Sequence, residues 1–397
     1  MNKSLISCIT ICFCVLLCSL TAIGQPHYAQ VLRDLEAKNP TLLAAAKMAE
    51  AQKATAHVGL LLDDPSVEAA YYWGDPSENG VRWDLRVSQT FEMPSVMVRR
   101  ARLRDLQENA AGLDYQALRV ATMLETQQLC ADIIYYWNVA YIYERRCTAA
   151  IRLAQLYSRR FEAGDCSILE YNRAQMNMAD IQNKAAHAIM EADHVMEDLR
   201  QLMGDENYNF TQMEYDSVMG GLLFEDWYEQ LEMRNPELQQ LNNQLAISQQ
   251  KEQLSRASWL PKVDVGYAAE NVVGSTWRGA TVGLKLPLWS QQRAVRAAKL
   301  QTAASQDALA AKRFERFSKL RCVFHRHEAL ILNLNNLKAA YRQSNSLELL
   351  DKALEAGEIN LEQYLQQVNY YYEIEMEIWN TAHQLEQFHL LLYSVEL

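Results

Sequence analysis

Over 82–91 the apolar Trp83, Leu85, Val87 and Phe91 fall on one face and Arg82, Asp84, Arg86, Ser88 and Thr90 on the other, the period-two signature of a strand with unlike faces. The stretch before it sets Val67, Ala69, Tyr71 and Trp73 against Glu68 and Tyr72. Gly74-Asp75-Pro76 and Asn79-Gly80 supply turn residues, so 66–91 reads as a β-hairpin. A second hairpin is predicted over 262–287. There Val263, Val265 and Tyr267 alternate with Lys262 and Asp264, and Ala280, Val282, Leu284 and Leu286 with Thr281, Gly283 and Lys285, leaving 271–279 as the loop.

The rest of the pattern is helical. About 68 residues without a proline separate Pro94 from Ala163-Gly164, and about as many separate Pro287 from Gly357, which predicts two helices of about 100 Å each. Shorter helices are expected over 28–62, 167–203, 224–259 and 360–394, each about half as long, so two of them match one long helix in rise. Ala44-Ala45-Ala46, Ala110-Ala111, Ala185-Ala186, Ala297-Ala298 and Ala303-Ala304 suit close antiparallel helix contact. An apolar stripe at this spacing is a coiled-coil seam and asks for no cofactor. The class is therefore mainly α with a small β part.

These elements occur twice in one order. Asn39-Pro40 returns as Asn235-Pro236, Pro65 as Pro261, Pro94 as Pro287, and Ala163-Gly164-Asp165 as Ala356-Gly357-Glu358. A period of about 193 to 196 residues is a duplicated half-molecule, not a short solenoid unit. The halves are 25–203 and 224–397, each a helix, a hairpin, a long helix, a Gly turn and a return helix, joined by a polar linker 204–223 that contains Gly220-Gly221.

Lys3, an apolar run over 5–23 and Ala22-Ile23-Gly24 before Gln25 read as a secretory signal peptide, 1–24. Cys18 leaves a lipoprotein alternative open, although Leu17 stands where a small residue is wanted. Four cysteines fall in that segment; Cys130, Cys147, Cys166 and Cys322 are scattered without zinc spacing and read as single buried thiols, with a disulfide pair as the alternative. The net charge of −11 argues against a nucleic-acid partner. No later stretch is long and apolar enough for a membrane-spanning helix.

The strands are long enough, at about nine or ten residues, to cross a hydrocarbon core when tilted. Trp73, Trp83, Trp259, Trp277 and Trp289 lie within or beside them, as in the aromatic girdles of membrane barrels. A soluble sheet packed on a protein core gives the same alternation. Four strands cannot close a barrel alone, so a membrane reading requires several copies, most simply a homo-oligomeric duct.

The duplicated Asn-Pro pair joins two further motif sets. The hairpins end Phe91-Glu92-Met93-Pro94 and Leu286-Pro287-Leu288, and the helix turns are Ala163-Gly164-Asp165-Cys166-Ser167-Ile168-Leu169-Glu170-Tyr171 and Ala356-Gly357-Glu358-Ile359-Asn360-Leu361-Glu362-Gln363-Tyr364. In these, nearly the whole mature chain resembles the TolC-type outer-membrane efflux proteins. The resemblance implies a homotrimer in the outer membrane of a Gram-negative bacterium, with a shared twelve-stranded barrel in lipid and a tubular α-barrel in the periplasm. It also implies a periplasmic adaptor and an inner-membrane pump of the RND type as partners, with type I secretion as the alternative role. Ser88-Gln89-Thr90-Phe91-Glu92 and Arg99-Arg100-Ala101-Arg102 are most similar to the CzcC-like heavy-metal branch, which implies metal cations as cargo.

The resemblance places adaptor docking at Gly164, Asp165, Gly357 and Glu358, and a gate around Glu358, Glu362, Gln363 and Gln366. Some members carry acidic residues where this chain has Gln363 and Gln366, which puts the gate's selectivity in doubt. Charge in the first helical turn explains Glu358 and Glu362 equally well. The expected membrane residues are Trp73, Trp83, Leu85, Val87, Phe91, Val265, Tyr267, Trp277, Val282 and Leu284. His325, His327, His383 and His389 are spaced poorly for a metal and are expected to face solvent, and Met176, Met178, Met190, Met196 and Met203 to fill core. No nucleophile elbow, phosphate loop or HExxH is present, so no enzymatic activity, cofactor or metal is expected; a soluble periplasmic coiled-coil scaffold is the other reading.

Overall fold

The computed structural model describes residues 28–58, 62–73, 80–216, 224–232, 234–272, 274–287, 291–343, 347–394 and 397. The expected signal peptide with Cys18, the turn residues Gly74-Asp75-Pro76 and Asn79, Gly220-Gly221 and Trp289 lie outside them. The first half runs α1 (Ala29–Lys38), α2 (Pro40–Val58), β1 (Ser66–Trp73), β2 (Val81–Phe91), α3 (Pro94–Ala163) and α4 (Ile168–Met203). The second runs α5 (Phe224–Glu232), α6 (Pro236–Ala257), β3 (Lys262–Val272), β4 (Ser275–Lys285), α7 (Gln291–Gln343), α8 (Leu347–Glu355) and α9 (Leu361–Tyr393). No described helix is long and apolar enough to cross a membrane.

Two of the expected short helices are each two helices. The residue before a proline is driven out of the helical region, and Asn39 and Asn235 are extended at ψ 117° and 118°. Proline then serves as a first helical residue, where its missing N–H costs nothing. Asn235 caps α6 by accepting from the Leu238 N–H at 3.0 Å, and the buried Asn39 donates its amide to the Leu202 carbonyl at 2.6 Å.

The chain divides into two units, each compact. One comprises Met1–Pro40, Val120–Leu222 and Cys322–Leu397. Its core holds Leu35, Ile133, Ile134, Leu199, Met203 and Leu392. The linker contributes to it: Phe210 is buried beside Tyr28, and the Tyr215 hydroxyl donates to the Ala131 carbonyl at 2.9 Å. The other unit comprises Thr41–Arg119 and Leu223–Arg321. There Phe224, Trp227 and Tyr228 gather on Phe317, and amides of α6 tie it to α3: Asn243 donates to the Leu106 carbonyl at 2.8 Å and Gln250 to the Arg99 carbonyl at 2.9 Å.

The second unit carries the sheet, antiparallel in the order β1-β2-β3-β4. Its central pairing, β2 with β3, joins the two halves of the sequence, Phe91 opposite Val263 and Arg82 opposite Val272. The turns differ from expectation. β3 continues to Val272 and β4 begins at Ser275, so the second hairpin closes in two residues, not over 271–279, and the first hairpin has the longer connection.

Several expectations about single residues are overturned. His327 is buried and stacks on His389 at 5.7 Å, and His383 sits 2.6 Å from the Asp132 carboxylate; helix packing, not solvent, surrounds these rings, and only His325 of the four is exposed. Cys322 is exposed, Cys130 is buried, and all four described cysteines are free. Met196 and Met203 fill core, but Met176 and Met190 stand in the open because α4 turns that side outward.

Candidate functional site

Register sorts the sheet into two faces. Across the strands Val67, Val87, Tyr267 and Ala280 stand in one row, Ala69, Leu85 and Ala269 in the next, Gln89, Val265 and Val282 in another, and Phe91, Val263 and Leu284 in the last. Tyr71 with Trp83 and Trp73 with Val81 extend this face toward the β1–β2 turn. It is apolar over most of its area and much of it is bare of the described residues: Trp73 is 83% exposed, Val282 75% and Leu284 66%, although Ala269 at its middle is buried among its neighbours.

The opposite face is polar and makes its own cross-strand bonds. The Ser66 and Ser88 hydroxyls lie 2.9 Å apart, the Thr90 hydroxyl donates to Asp264 at 3.3 Å, and Arg82 pairs with Glu270 on β3 at 2.9 Å as well as with Asp84 on its own strand at 3.1 Å. Such pairs are the unit of sheet stabilisation. Trp277, expected with the apolar set, stands opposite Glu270 and so belongs to this face. Among the described residues strands β1 and β4 have no partner on their outer edges.

The two Gly turns lie in the first unit and are built alike. Gly164 has φ +78°; its N–H donates to the Phe161 carbonyl at 3.1 Å and that of Asp165 to the Arg160 carbonyl at 2.8 Å. Gly357 has φ +75°, with Gly357 bonded to Leu354 at 3.2 Å and Glu358 to Ala353 at 2.9 Å. Both are Schellman closures, which need a left-handed residue at the glycine position. Each is followed by a capping box. Ser167 accepts from the Glu170 N–H while Glu170 accepts from the Ser167 N–H at 2.8 Å, and Asn360 and Gln363 do the same at 2.9 and 3.1 Å.

The turns come together on one core. Leu153, Tyr157 and Ala174 from the first half pack with Leu354, Leu361, Tyr364 and Leu365 from the second, Cys166 and Ile359 beside them. Arg173 reaches Glu362 at 3.3 Å, and the Tyr364 hydroxyl donates to Asp351 at 2.6 Å. The surfaces are unlike: Ile168 is 50% and Leu169 76% exposed, while Leu361, in the place of Ile168, is 2% exposed. Of the four residues considered for a gate, Gln363 is engaged in its cap and Glu362 in its ion pair, whereas Glu358 and Gln366 present exposed side chains. Burial raises the Tyr364 phenol, and the Ser167 backbone N–H holds the Glu170 carboxyl below its ordinary range. Among the described residues no group of three or more His, Cys, Asp or Glu could hold a metal ion.

The fold recurs in solved structures. The Campylobacter jejuni CmeC outer-membrane channel superposes with a TM-score of 0.77 at 16% identity, over 92% of this chain and 84% of that one. CusC gives 0.77 at 11% over 92% and 91%, and the open state of the Neisseria gonorrhoeae MtrE outer-membrane channel 0.75 at 14% over 92% and 88%. The chain has the fold of an outer-membrane channel protein. No family model and no curated protein matches the sequence. The likeness agrees with the fold class to which the sequence resemblance pointed.

Sequence reasoning missed the polar residues that fasten the helices. Arg145 grips Glu375 through both carboxylate oxygens at 2.5 and 2.6 Å, Arg146 donates to Asn369 at 2.5 Å, and Tyr28 donates to Glu386 at 3.1 Å. Their partners lie more than 200 positions away, and no local spacing announces them. The capping boxes were missed too, although Ser-x-x-Glu and Asn-x-x-Gln are the local signal that could have found them.

Proposed function

We propose that the chain is one subunit of an outer-membrane exit duct in a tripartite efflux system, a homotrimer that receives solute from an inner-membrane pump through a periplasmic adaptor. The observation that supports this most directly is the bare apolar face of the sheet together with its two unpaired edges. In lipid such a face is satisfied, and the edges are satisfied when copies close one barrel. A soluble scaffold would leave this apolar face in water, and contiguous exposed apolar patches mark interaction surfaces. The polar face then lines the conduit, the turns at Gly164, Asp165, Gly357 and Glu358 meet the adaptor, and an RND-type pump supplies the free energy. Passage needs no catalysis by this chain.

Metal cations as cargo find no support in the residues that suggested them. Ser88, Thr90, Glu92 and Arg100 are held in bonds at the junction of sheet and helix, Glu92 to Arg100 at 2.7 Å. We therefore leave cargo choice to the pump.

Leu85→Arg places a charge in the middle of the apolar face, at a cost of about 2–4 kcal/mol near a bilayer midplane. The wild-type chain is expected in the outer-membrane fraction and the variant outside it, with Arg86→Gln on the polar face behaving as wild type. A mature wild-type chain that stays monomeric and soluble without detergent would defeat the proposal.

A further inference from the structure

Two pairs of rings clasp α7 against α9. Tyr341 meets Tyr371 with centroids 4.8 Å apart, and His327 meets His389 at 5.7 Å with the planes 26° apart. His389 rests in turn on Tyr393 at 4.6 Å. His327 is 5% exposed, and its Nε2 is closed off from solvent with no hydrogen-bond partner among the described residues. A neutral imidazole can leave that nitrogen as an empty acceptor. An imidazolium carries a proton on both nitrogens and has to place each of them.

The titratable groups around the ring make no place for that proton. On the same helix, Glu328 is turned to His325 at 3.7 Å. On α9, Glu386 is buried and accepts from the hydroxyl of Tyr28, just before α1, at 3.1 Å. The other groups that α9 presents are Tyr393 and His389, a second ring able to take a proton. Both carboxylates act on His327 through space, and burial outweighs them, holding the imidazole below its ordinary value of 6.5.

We propose that the His327–His389 stack is a proton-operated joint: a proton taken up by His327 parts the rings and loosens α7 from α9 at that point. The Tyr341–Tyr371 pair has no charge to gain in acid and holds. Because the two helices are connected through α8 and the Gly357 turn, the joint sets how firmly the helix pair of the second half is closed. A base held below its ordinary value in the folded state contributes stability that is complete above that value and is lost as pH falls from there through the folded one.

Amide exchange of the full chain, read by mass spectrometry and corrected for the intrinsic pH dependence of exchange, tests this between about pH 7.5 and about pH 5. Peptides over 323–331 and 385–393 should open about tenfold more often for each pH unit below the ordinary imidazole value, until the folded value is passed. Peptides around Tyr341 and Tyr371 should keep their protection. His327→Phe, which leaves a ring in the stack and cannot take a proton, should abolish the response; if it does not fold, His327→Gln puts the same question. Equal protection of the wild type across the range overturns the proposal. So does a response that the variant retains, or one that spreads equally to Tyr341 and Tyr371, which is general acid unfolding.

Discussion

At Gly164 and Gly357 an added Cβ would meet nothing within 4 Å, so these positions require glycine through backbone angle alone. A β-branched residue there costs about 1–2 kcal/mol in left-handed strain. Gly164→Val and Gly357→Val should therefore yield folded, membrane-inserted protein with weakened adaptor cross-linking; unchanged cross-linking in both would separate the turns from docking. The capping boxes give a second contrast. Glu170 titrates and Gln363 does not. Because Glu170 is held below its ordinary range in the folded state, its contribution is present above that range and lost as pH falls through the folded value. Amide exchange at the start of α4 should accelerate in acid before that at the start of α9. The glycines were legible because positive φ has a residue signature; the role of Gln363 was obscured by its alignment with acidic residues, although Asn360 three positions earlier explains it.

Among the elements, the sheet shows where pattern reading works and where it stops. Strand β2 alternates with one break, Gln89 on the apolar face, and was legible as it stands. Strand β4 begins Ser275-Thr276-Trp277-Arg278, which puts Arg278 on the apolar face and Trp277 on the polar one, so hydrophobicity inverts while the backbone ladder continues. That inversion made the strand's first residues look like loop. Gly266 marks the tightest approach: a Cβ there would stand 2.6 Å from the Val87 carbonyl oxygen and 2.8 Å from Thr281 Oγ1. A backbone oxygen in a ladder cannot give way, so Gly266→Val should cost about 1–3 kcal/mol and reduce assembled protein, while Gly279→Val, with open space around it, should not. Heat-resistant oligomer on gels reads both.

For the molecule as a whole, the order of hairpins, long helices and Gly turns was legible, while the division of the short helices at Asn39-Pro40 and Asn235-Pro236 and the long-range pairing were not. The duplicated landmarks foretold two hairpins and two Gly turns; they could not say that β2 would pair with β3, because register between distant strands leaves no mark within either. In the proposed duct the outer edges of β1 and β4 are where copies of the chain would join. Native mass spectrometry from detergent should find three mature chains together, and a stable monomer with an intact sheet would contradict that assembly.

The β2–β3 ladder also sets a clock. Its partners are about 170 to 190 residues apart, and an isolated two-stranded hairpin is marginal in water. The first hairpin, apolar on one side, must therefore wait for more than 170 further residues to be made before its neighbour arrives. During that interval its danger is pairing with the wrong strand, so an escort that holds single hairpins apart would matter more to the yield of this protein than the stability of its finished state.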